Sequence, residues 1–167
     1  MTLRVGYFGG YDPAGRNRIL IDGLRAAGAT VVEHRSDVWP DNEAKLKAAA
    51  GNVGLMRGIA RHVRGWRALG FRLRHPVDAL VVGATAHADL PLAWLAARCA
   101  GVPLVFDPLV SASETIRDRG LRGSTSPILA LVTAAERALF RLADVVVADT
   151  ACHGAAYSRE LGVPRDR

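Results

Sequence analysis

The sequence is poor in cysteine and aromatic residues and has no long apolar run. Its two cysteines, Cys99 and Cys152, form neither a CxxC pair nor a disulfide framework, which indicates reduced thiols. No uninterrupted apolar stretch approaches the roughly 20 residues that a spanning helix requires, which argues against a transmembrane protein. The N-terminus also lacks the charged and long apolar regions of a signal peptide, so we expect a cytoplasmic location.

Several fingerprints of catalysis and cofactor binding are missing as well. The sequence contains no GxGxxG, no GxxxxGKS or GxxxxGKT and no GxSxG. Dinucleotide-binding, P-loop and nucleophile-elbow sites therefore lack their signatures. The histidines show no metal-ligand spacing, and we predict neither a bound metal nor a cofactor.

The positive charge is concentrated in one segment. The chain has 22 basic and 16 acidic side chains, a net charge of +6. Six arginines and no acidic residue lie between residues 57 and 75, so this segment accounts for the whole excess. A solvated helix face explains it, and so does peripheral contact with the anionic inner face of a membrane. We predict no nucleic-acid partner, because the charge lacks motif support. The candidate membrane-contact residues are Arg57, Arg61, Arg64, Trp66 and Arg67.

Short apolar runs alternate with longer helical patterns along the chain. This alternation predicts one α/β, Rossmann-like domain over residues 1–167, with a parallel sheet of about five to six strands and helices on both faces. Right-handed crossovers favour a central first strand and the order 3-2-1-4-5. The predicted strands span residues 3–8, 30–33, 79–82, 104–106 and 145–148, and the predicted helices 18–27, 44–74, 89–100, 127–142 and 150–161.

The loop after the first predicted strand is the first candidate ligand site. Ligands of open parallel sheets bind beyond the carboxyl ends of the strands, and glycines allow the backbone to come close to them. The next helix offers free N–H groups to an anion. A flexible turn with solvated arginines explains the pattern equally well. The candidate substrate-binding residues here are Gly9, Gly10, Arg16 and Arg18.

Polar residues also follow the third and fourth predicted strands. His87 lacks a structural explanation and is placed to bind a hydroxyl or to transfer a proton. Asp107 suits binding a sugar hydroxyl or acting as a base, although an Asp-Pro turn accounts for it as well. We predict catalytic roles for His87 and Asp107, and a substrate-binding role for Ser111 in the same loop as Asp107.

Other polar residues near these strand ends have structural explanations. Asp89 lies just before Pro91 at a helix start, which predicts an N-cap. Thr150 or Asp149 is predicted to cap the last helix, with His153 in its first turn. We predict structural roles for these residues.

The order and spacing of these segments resemble the N-terminal domain of a GT-B glycosyltransferase, most like glycosyltransferase family 4, from one end of the chain to the other. The similarity rests on residues 4–10 with 16–20, on the run from Gly101 through Phe106-Asp107-Pro108 to Ser111, and on residues 141–150. His153, Tyr157 and residues 162–164 complete it.

The resemblance implies two Rossmann-like domains that face a cleft. The first binds a glycan or lipid-linked acceptor, and the second binds a nucleotide-sugar donor. Transfer of a hexose-type sugar, as in polysaccharide biosynthesis, would retain anomeric configuration and need no metal. Gly9 and Gly10 match the family's glycine loop, and His87 and Asp107 match loop positions that face the acceptor.

The sequence departs from that family in one large respect. The C-terminal donor domain, with its Glu-x7-Glu pair, is absent from this chain, and no two glutamates here have that spacing. We therefore expect half of an enzyme, inactive by itself. The alternative is a non-catalytic acceptor-binding module or a subunit of a two-part transferase. A flavodoxin-like or nucleotide-binding regulatory domain is the weaker alternative, since the chain lacks both a phosphate fingerprint and an acidic pocket near the first strand.

Overall fold

The computed structural model describes residues 2–35, 76–118 and 127–166. Strands and helices alternate along these ranges. The strands are β1 (Arg4–Gly9), β2 (Thr30–Arg35), β3 (Ala79–Val82), β4 (Leu104–Phe106) and β5 (Val145–Val146). The helices are α1 (Gly15–Ala26), α2 (Leu90–Ala100), α3 (Ala112–Asp118), α4 (Pro127–Phe140) and α5 (Ala151–Ala156). A 3-10 turn (His87–Asp89) precedes α2, and a π-helical turn (Tyr157–Leu161) continues α5.

The strands form a parallel sheet, which confirms the predicted α/β, Rossmann-like fold. The strand order is β2-β1-β3-β4-β5. The predicted order 3-2-1-4-5 is wrong, because β3 lies between β1 and β4 instead of outside β2. The central strand of the described sheet is therefore β3, and β1 lies one place from the edge.

The burial of β2 and β3 explains this order. Leu80, Val81 and Val82 of β3 are all buried, so their side chains need cover on both faces of the sheet, which an interior strand receives. Thr30 and Glu33 of β2 are exposed, and polar side chains suit an edge strand. The predicted order would have exchanged these environments.

The direction in which successive strands are added to the sheet reverses between β2 and β3. The connection from β1 to β2 runs toward one side of the sheet, and those from β3 to β4 and β5 run toward the other. Right-handed crossovers then place α1 and α2 on opposite faces. Open parallel sheets bind ligands at such a point, beyond the carboxyl ends of the strands. We call the surface formed there by the loops after β1, β3 and β4 the crevice.

An aromatic cluster underlies this edge of the sheet. Phe106 at the end of β4 packs edge-on against Phe140 of α4, with ring centroids 5.1 Å apart. Phe140 packs in turn against Tyr157, at 5.3 Å. All three rings are buried. This packing gives the loops above it a fixed floor.

Two predicted segments differ from the observed ones. Helix α1 begins at Gly15 instead of residue 18, and its first turn lies beside the crevice. The polar loop predicted after β4 contains helix α3, which is capped by a side chain from α4, a contact that local sequence does not reveal. Within the described ranges, no helix has the length and apolar character needed to cross a bilayer.

The arginine-rich segment 57–75 lies outside the described residues, as do the predicted helix 44–74 and the candidate membrane-contact residues Arg57, Arg61, Arg64, Trp66 and Arg67.

Candidate functional site

Strained backbone marks the carboxyl edge of the sheet. Thr85, in the loop after β3, has φ 71°, and Leu109, in the loop after β4, has φ 64°. A left-handed conformation is costly for residues with a side chain and concentrates at functional sites. Both strained residues lie in loops that border the crevice.

Asn17 joins the loop after β1 to the loop after β3. Its Oδ1 accepts hydrogen bonds from the Tyr7 hydroxyl at 2.9 Å and from the Ala84 N–H at 2.8 Å. Its amide nitrogen donates to the Asp12 carbonyl at 2.8 Å. Burial raises the pKa of the Tyr7 hydroxyl well above its usual value, with the Asp107 charge adding to the effect, so Tyr7 remains a neutral donor.

The glycine loop is held by close packing. Gly9 has φ +116°, and a Cβ atom there would lie 3.0 Å from both Ala86 Cβ and Asp89 Oδ2. The Gly10 N–H donates to Asp89 Oδ2 at 2.8 Å. Gly9 is buried and Gly10 half-buried. The two glycines therefore allow the loops after β1 and β3 to touch.

Asp89 does not cap helix α2 as predicted. It occupies the N-cap position, but its backbone is already helical (φ −88°, ψ −10°) and its side chain makes no capping hydrogen bond. The carboxylate instead points back to the Gly10 N–H and is completely buried. The prediction was wrong because the cross-loop contact satisfies a backbone donor that local sequence does not identify.

Arg16 of α1 and Asp107 of the loop after β4 form a partly buried ion pair. Arg16 Nε lies 2.9 Å from Asp107 Oδ2, and Arg16 Nη2 lies 2.8 Å from Oδ1. Hydrogen bonding to Asp107 raises the pKa of Arg16 further, against a smaller opposing effect of burial. Asp107 is 0% exposed. Arg16 and Asp107, both predicted as site residues, therefore lie at the carboxyl edge of the sheet, where the Asp107 carboxylate accepts hydrogen bonds from the Arg16 guanidinium.

His87 lies in the 3-10 turn after β3. Its half-buried imidazole packs edge-on against Phe106, with centroids 5.1 Å apart. Because Phe106 ends β4, this contact brings His87 to the same edge of the sheet as Asp107. The catalytic roles of His87 and Asp107 stay predictions.

The remaining predicted substrate-binding residues make structural contacts. Ser111 is buried, and its Oγ accepts the Glu114 N–H at 2.9 Å, which caps helix α3. Arg18 is exposed on α1 and forms an ion pair with Asp22 at 2.8 Å. Their substrate contacts likewise stay predictions.

A carboxylate–imidazole pair lies beside Arg16. Asp149 Oδ1 is 2.5 Å from His153 Nδ1, and Asp149 Oδ2 is 3.9 Å from Arg16 Nη1. The hydrogen bond from His153 holds the pKa of Asp149 below its usual range. The Thr150 hydroxyl accepts the His153 N–H at 3.1 Å, which confirms the predicted cap.

Sequence reasoning missed Asn17 and the functional potential of His153. The local sequence around Asn17 does not show which backbone groups its side chain binds, so its role could not be predicted. The pair Asp149 and His153 does carry a signal: carboxylate and imidazole four residues apart meet at a helix start.

These side chains form a polar, nearly neutral surface. One guanidinium and one imidazole face two carboxylates, Asp107 and Asp149. Among the described residues, no three His, Cys, Asp or Glu side chains converge as a metal site would require. The arrangement suits hydroxyl groups, which both donate and accept.

A parallel α/β sheet whose strand order reverses between β1 and β3 defines a Rossmann-like domain. The chain belongs to the glycosyl transferase 4-like domain family, whose match covers residues 10–167. This confirms the similarity to an N-terminal glycosyltransferase domain. No curated protein matches the sequence.

Proposed function

We propose that this chain is the acceptor-binding domain of a retaining, nucleotide-sugar-dependent glycosyltransferase of the GT-B type. It would serve transfer of a hexose-type sugar to a glycan or lipid-linked acceptor on the cytoplasmic side of a membrane. The observation that carries this proposal is the family match over residues 10–167. The crevice at the carboxyl ends of the strands would give the acceptor a place to bind.

The character of the crevice favours the acceptor over the donor. A nucleotide diphosphate needs an excess of donors or positive charge, whereas Arg16 is already paired with Asp107. We infer that a second, C-terminal domain binds the nucleotide-sugar donor. Metal is not required in this scheme, since the family resemblance implies metal-independent transfer.

The contacts suggest a division of roles. Asp107 acts through Arg16 and is a positioning residue, because Arg16 occupies both carboxylate oxygens. Gly9 and Gly10 shape the crevice. His87 is the candidate for direct contact with the acceptor.

Sugar transfer tests this proposal directly. Residues 1–167, incubated with labelled UDP- and GDP-hexoses and saccharide acceptors, should bind saccharide without measurable transfer. In a protein that joins this chain to a donor domain, His87→Ala and Asp107→Asn should each lower turnover about tenfold or more, with nucleotide affinity nearly unchanged. Asp22→Asn, on the exposed side of α1, is the control. Robust transfer by residues 1–167 would overturn the two-domain scheme.

The non-catalytic module remains the second candidate. The reading frame downstream of residue 167 discriminates between them. A further strand, a glycine-rich loop and a Glu-x7-Glu pair would support the enzyme, and a stop codon would support the module.

A further inference from the structure

We propose that Asp149, His153 and Arg16 form a subsite for two neighbouring hydroxyl groups of the sugar acceptor, with His153 Nε2 hydrogen-bonded to one of them. This inference rests on the proposed function, which makes a saccharide the acceptor. It assigns a substrate contact to the end of β5, beyond the loops of β1, β3 and β4.

The orientation of the imidazole is fixed on two sides. An ionised carboxylate only accepts, so the 2.5 Å contact from Asp149 Oδ1 places the proton on His153 Nδ1. The other ring nitrogen, Nε2, lies on the far side of the ring from this contact. No described residue engages it, and the His153 side chain is 28% exposed. The His153 ring also stacks on Tyr157, at 6.2 Å between centroids and 21° between planes.

Tyr157 is itself held in place. Its hydroxyl donates to the Leu109 carbonyl at 3.2 Å, and Leu109 is the strained residue of the loop after β4. Burial raises the pKa of Tyr157 to about 12, so the hydroxyl stays protonated. The π-helical turn begins at Tyr157, and such turns are common at functional sites.

A single oxygen atom can bridge Arg16 and Asp149. Arg16 Nη1 and Asp149 Oδ2 are 3.9 Å apart, too far for a direct hydrogen bond. Arg16 Nε and Nη2 are occupied by Asp107, which leaves Nη1 as a donor. A hydroxyl beside this pair, within hydrogen-bond distance of both atoms, accepts from Arg16 and donates to Asp149, as a bridging water would.

The charge balance selects hydroxyl over phosphate. Two carboxylates, Asp107 and Asp149, lie beside one guanidinium, Arg16. Glu114 adds a further negative charge near Tyr157. A phosphate would be repelled, whereas a sugar hydroxyl pays no such cost.

Histidine-detected NMR on residues 1–167 tests this subsite. The probes are the methyl glycosides of glucose, mannose and galactose, with inorganic pyrophosphate as the anionic comparison. We expect a saccharide to shift the His153 Nε2 resonance. His153→Ala should weaken its binding about tenfold, the loss expected for one buried hydrogen bond. Asp149→Asn should also weaken it and shift the tautomer balance of His153 away from Nδ1–H, an effect that a structural role alone would not produce.

Cys152→Ala is the matched control, since Cys152 is an exposed neighbour in the same helical turn; its binding should equal that of the wild type. If a saccharide shifts the Gly10 and Ala84 amides but leaves His153 unchanged, the subsite is wrong and the proposed function stands. If pyrophosphate and no saccharide shifts His153, the subsite binds anions and the inference is overturned. If no saccharide shifts any resonance, both proposals fail.

Discussion

At the scale of single residues, Asn17 satisfies polar groups from β1, from the loop after β1 and from the loop after β3. Asn17→Ala would leave the Tyr7 hydroxyl and the Ala84 N–H buried without their partner. Each such group costs about 1–3 kcal/mol, so we expect the free energy of unfolding to fall by about 2–4 kcal/mol. Urea denaturation followed by circular dichroism measures the change.

The control for this substitution lies on the same helix. Asp22 is exposed and pairs only with surface arginines of α1, so Asp22→Ala should cost no more than about 1 kcal/mol. Equal losses in the two variants would contradict the role assigned to Asn17.

The predictability of individual site residues depends on what positions them. His87 and Asp107 could be placed at one edge because the carboxyl ends of parallel strands meet there. The residues that hydrogen-bond to site residues could not be predicted in this way. The bond from Asp107 to Arg16 joins residues 91 positions apart, and the reassignment of Asp89 from cap to loop anchor depends on Gly10, 79 positions away.

At the scale of elements, two glycines with opposite surroundings test the packing of α1 against the crevice. A Cβ at Gly83 would lie 2.5 Å from Asn17 Oδ1 and 2.6 Å from Tyr7 Cε1, so Gly83→Ala should destabilise the protein by about 1–3 kcal/mol or more. Gly23 lies inside α1 with no atom within 4 Å of a Cβ. Gly23→Ala should therefore stabilise it by about 0.5–1 kcal/mol.

Thermal unfolding of both glycine variants measures these effects. Opposite shifts of Tm are expected. A stabilising Gly83→Ala would show that the loop after β3 does not approach Asn17 as described.

A surface ion pair joins α3 to the π-helical turn and gives a pH-dependent prediction. Arg117 Nη1 lies 2.6 Å from Glu160 Oε2, and this hydrogen bond holds the pKa of Glu160 below its usual value, against a smaller effect of burial. A depressed folded-state pKa stabilises the protein above the unfolded pKa, near 4.3, and the contribution is lost as pH falls through the folded value.

Glu160→Gln should therefore cost up to about 1 kcal/mol between about pH 5 and 8, since both partners are largely exposed. The difference from the wild type should diminish as pH falls through the folded-state pKa of Glu160. Urea unfolding across this pH range measures it, and Arg117→Gln should reproduce the same loss. A difference that persists undiminished in acid would exclude the ion pair as its source.

The elements themselves were largely predictable, and their arrangement was less so. Apolar runs identified all five described strands, because β-strands and helices differ in period. Strand order failed because crossover handedness constrains each connection without stating which strand is central. The full burial of β3 and the exposed Thr30 and Glu33 of β2 decide it. Helix α3 was missed although Ser111 and Glu114 have the spacing of a capping box, and Ser111 Oγ does accept the Glu114 N–H. Glu136 of α4, which accepts the Ser113 N–H at 2.9 Å, is the part of the cap that local sequence does not show.

At the scale of the whole molecule, the net charge originates in one segment of the sequence. The charged side chains of the crevice pair with one another, whereas the net charge of +6 equals that of the arginines in residues 57–75. Under the proposed function, these arginines would attract the chain to an anionic surface, as a lipid-linked acceptor requires.

The last prediction concerns that surface. Basic residues near an anionic membrane contribute about 1 kcal/mol each, screened within about 10 Å at moderate salt. We expect residues 1–167 to sediment with liposomes that contain phosphatidylglycerol and not with purely zwitterionic ones, and to be released as salt rises. Replacing three arginines of the segment with glutamine should abolish most of this binding. The substitutions are Arg61→Gln, Arg64→Gln and Arg67→Gln.

A charge-matched control separates the segment from net charge alone. Three exposed arginines outside it, replaced in the same way, remove the same three charges and should leave most binding intact. They are Arg18, Arg98 and Arg159, whose side chains are 61%, 51% and 72% exposed. If both triple variants lost binding equally, attraction would follow from net charge, and residues 57–75 would be no more than a solvated surface.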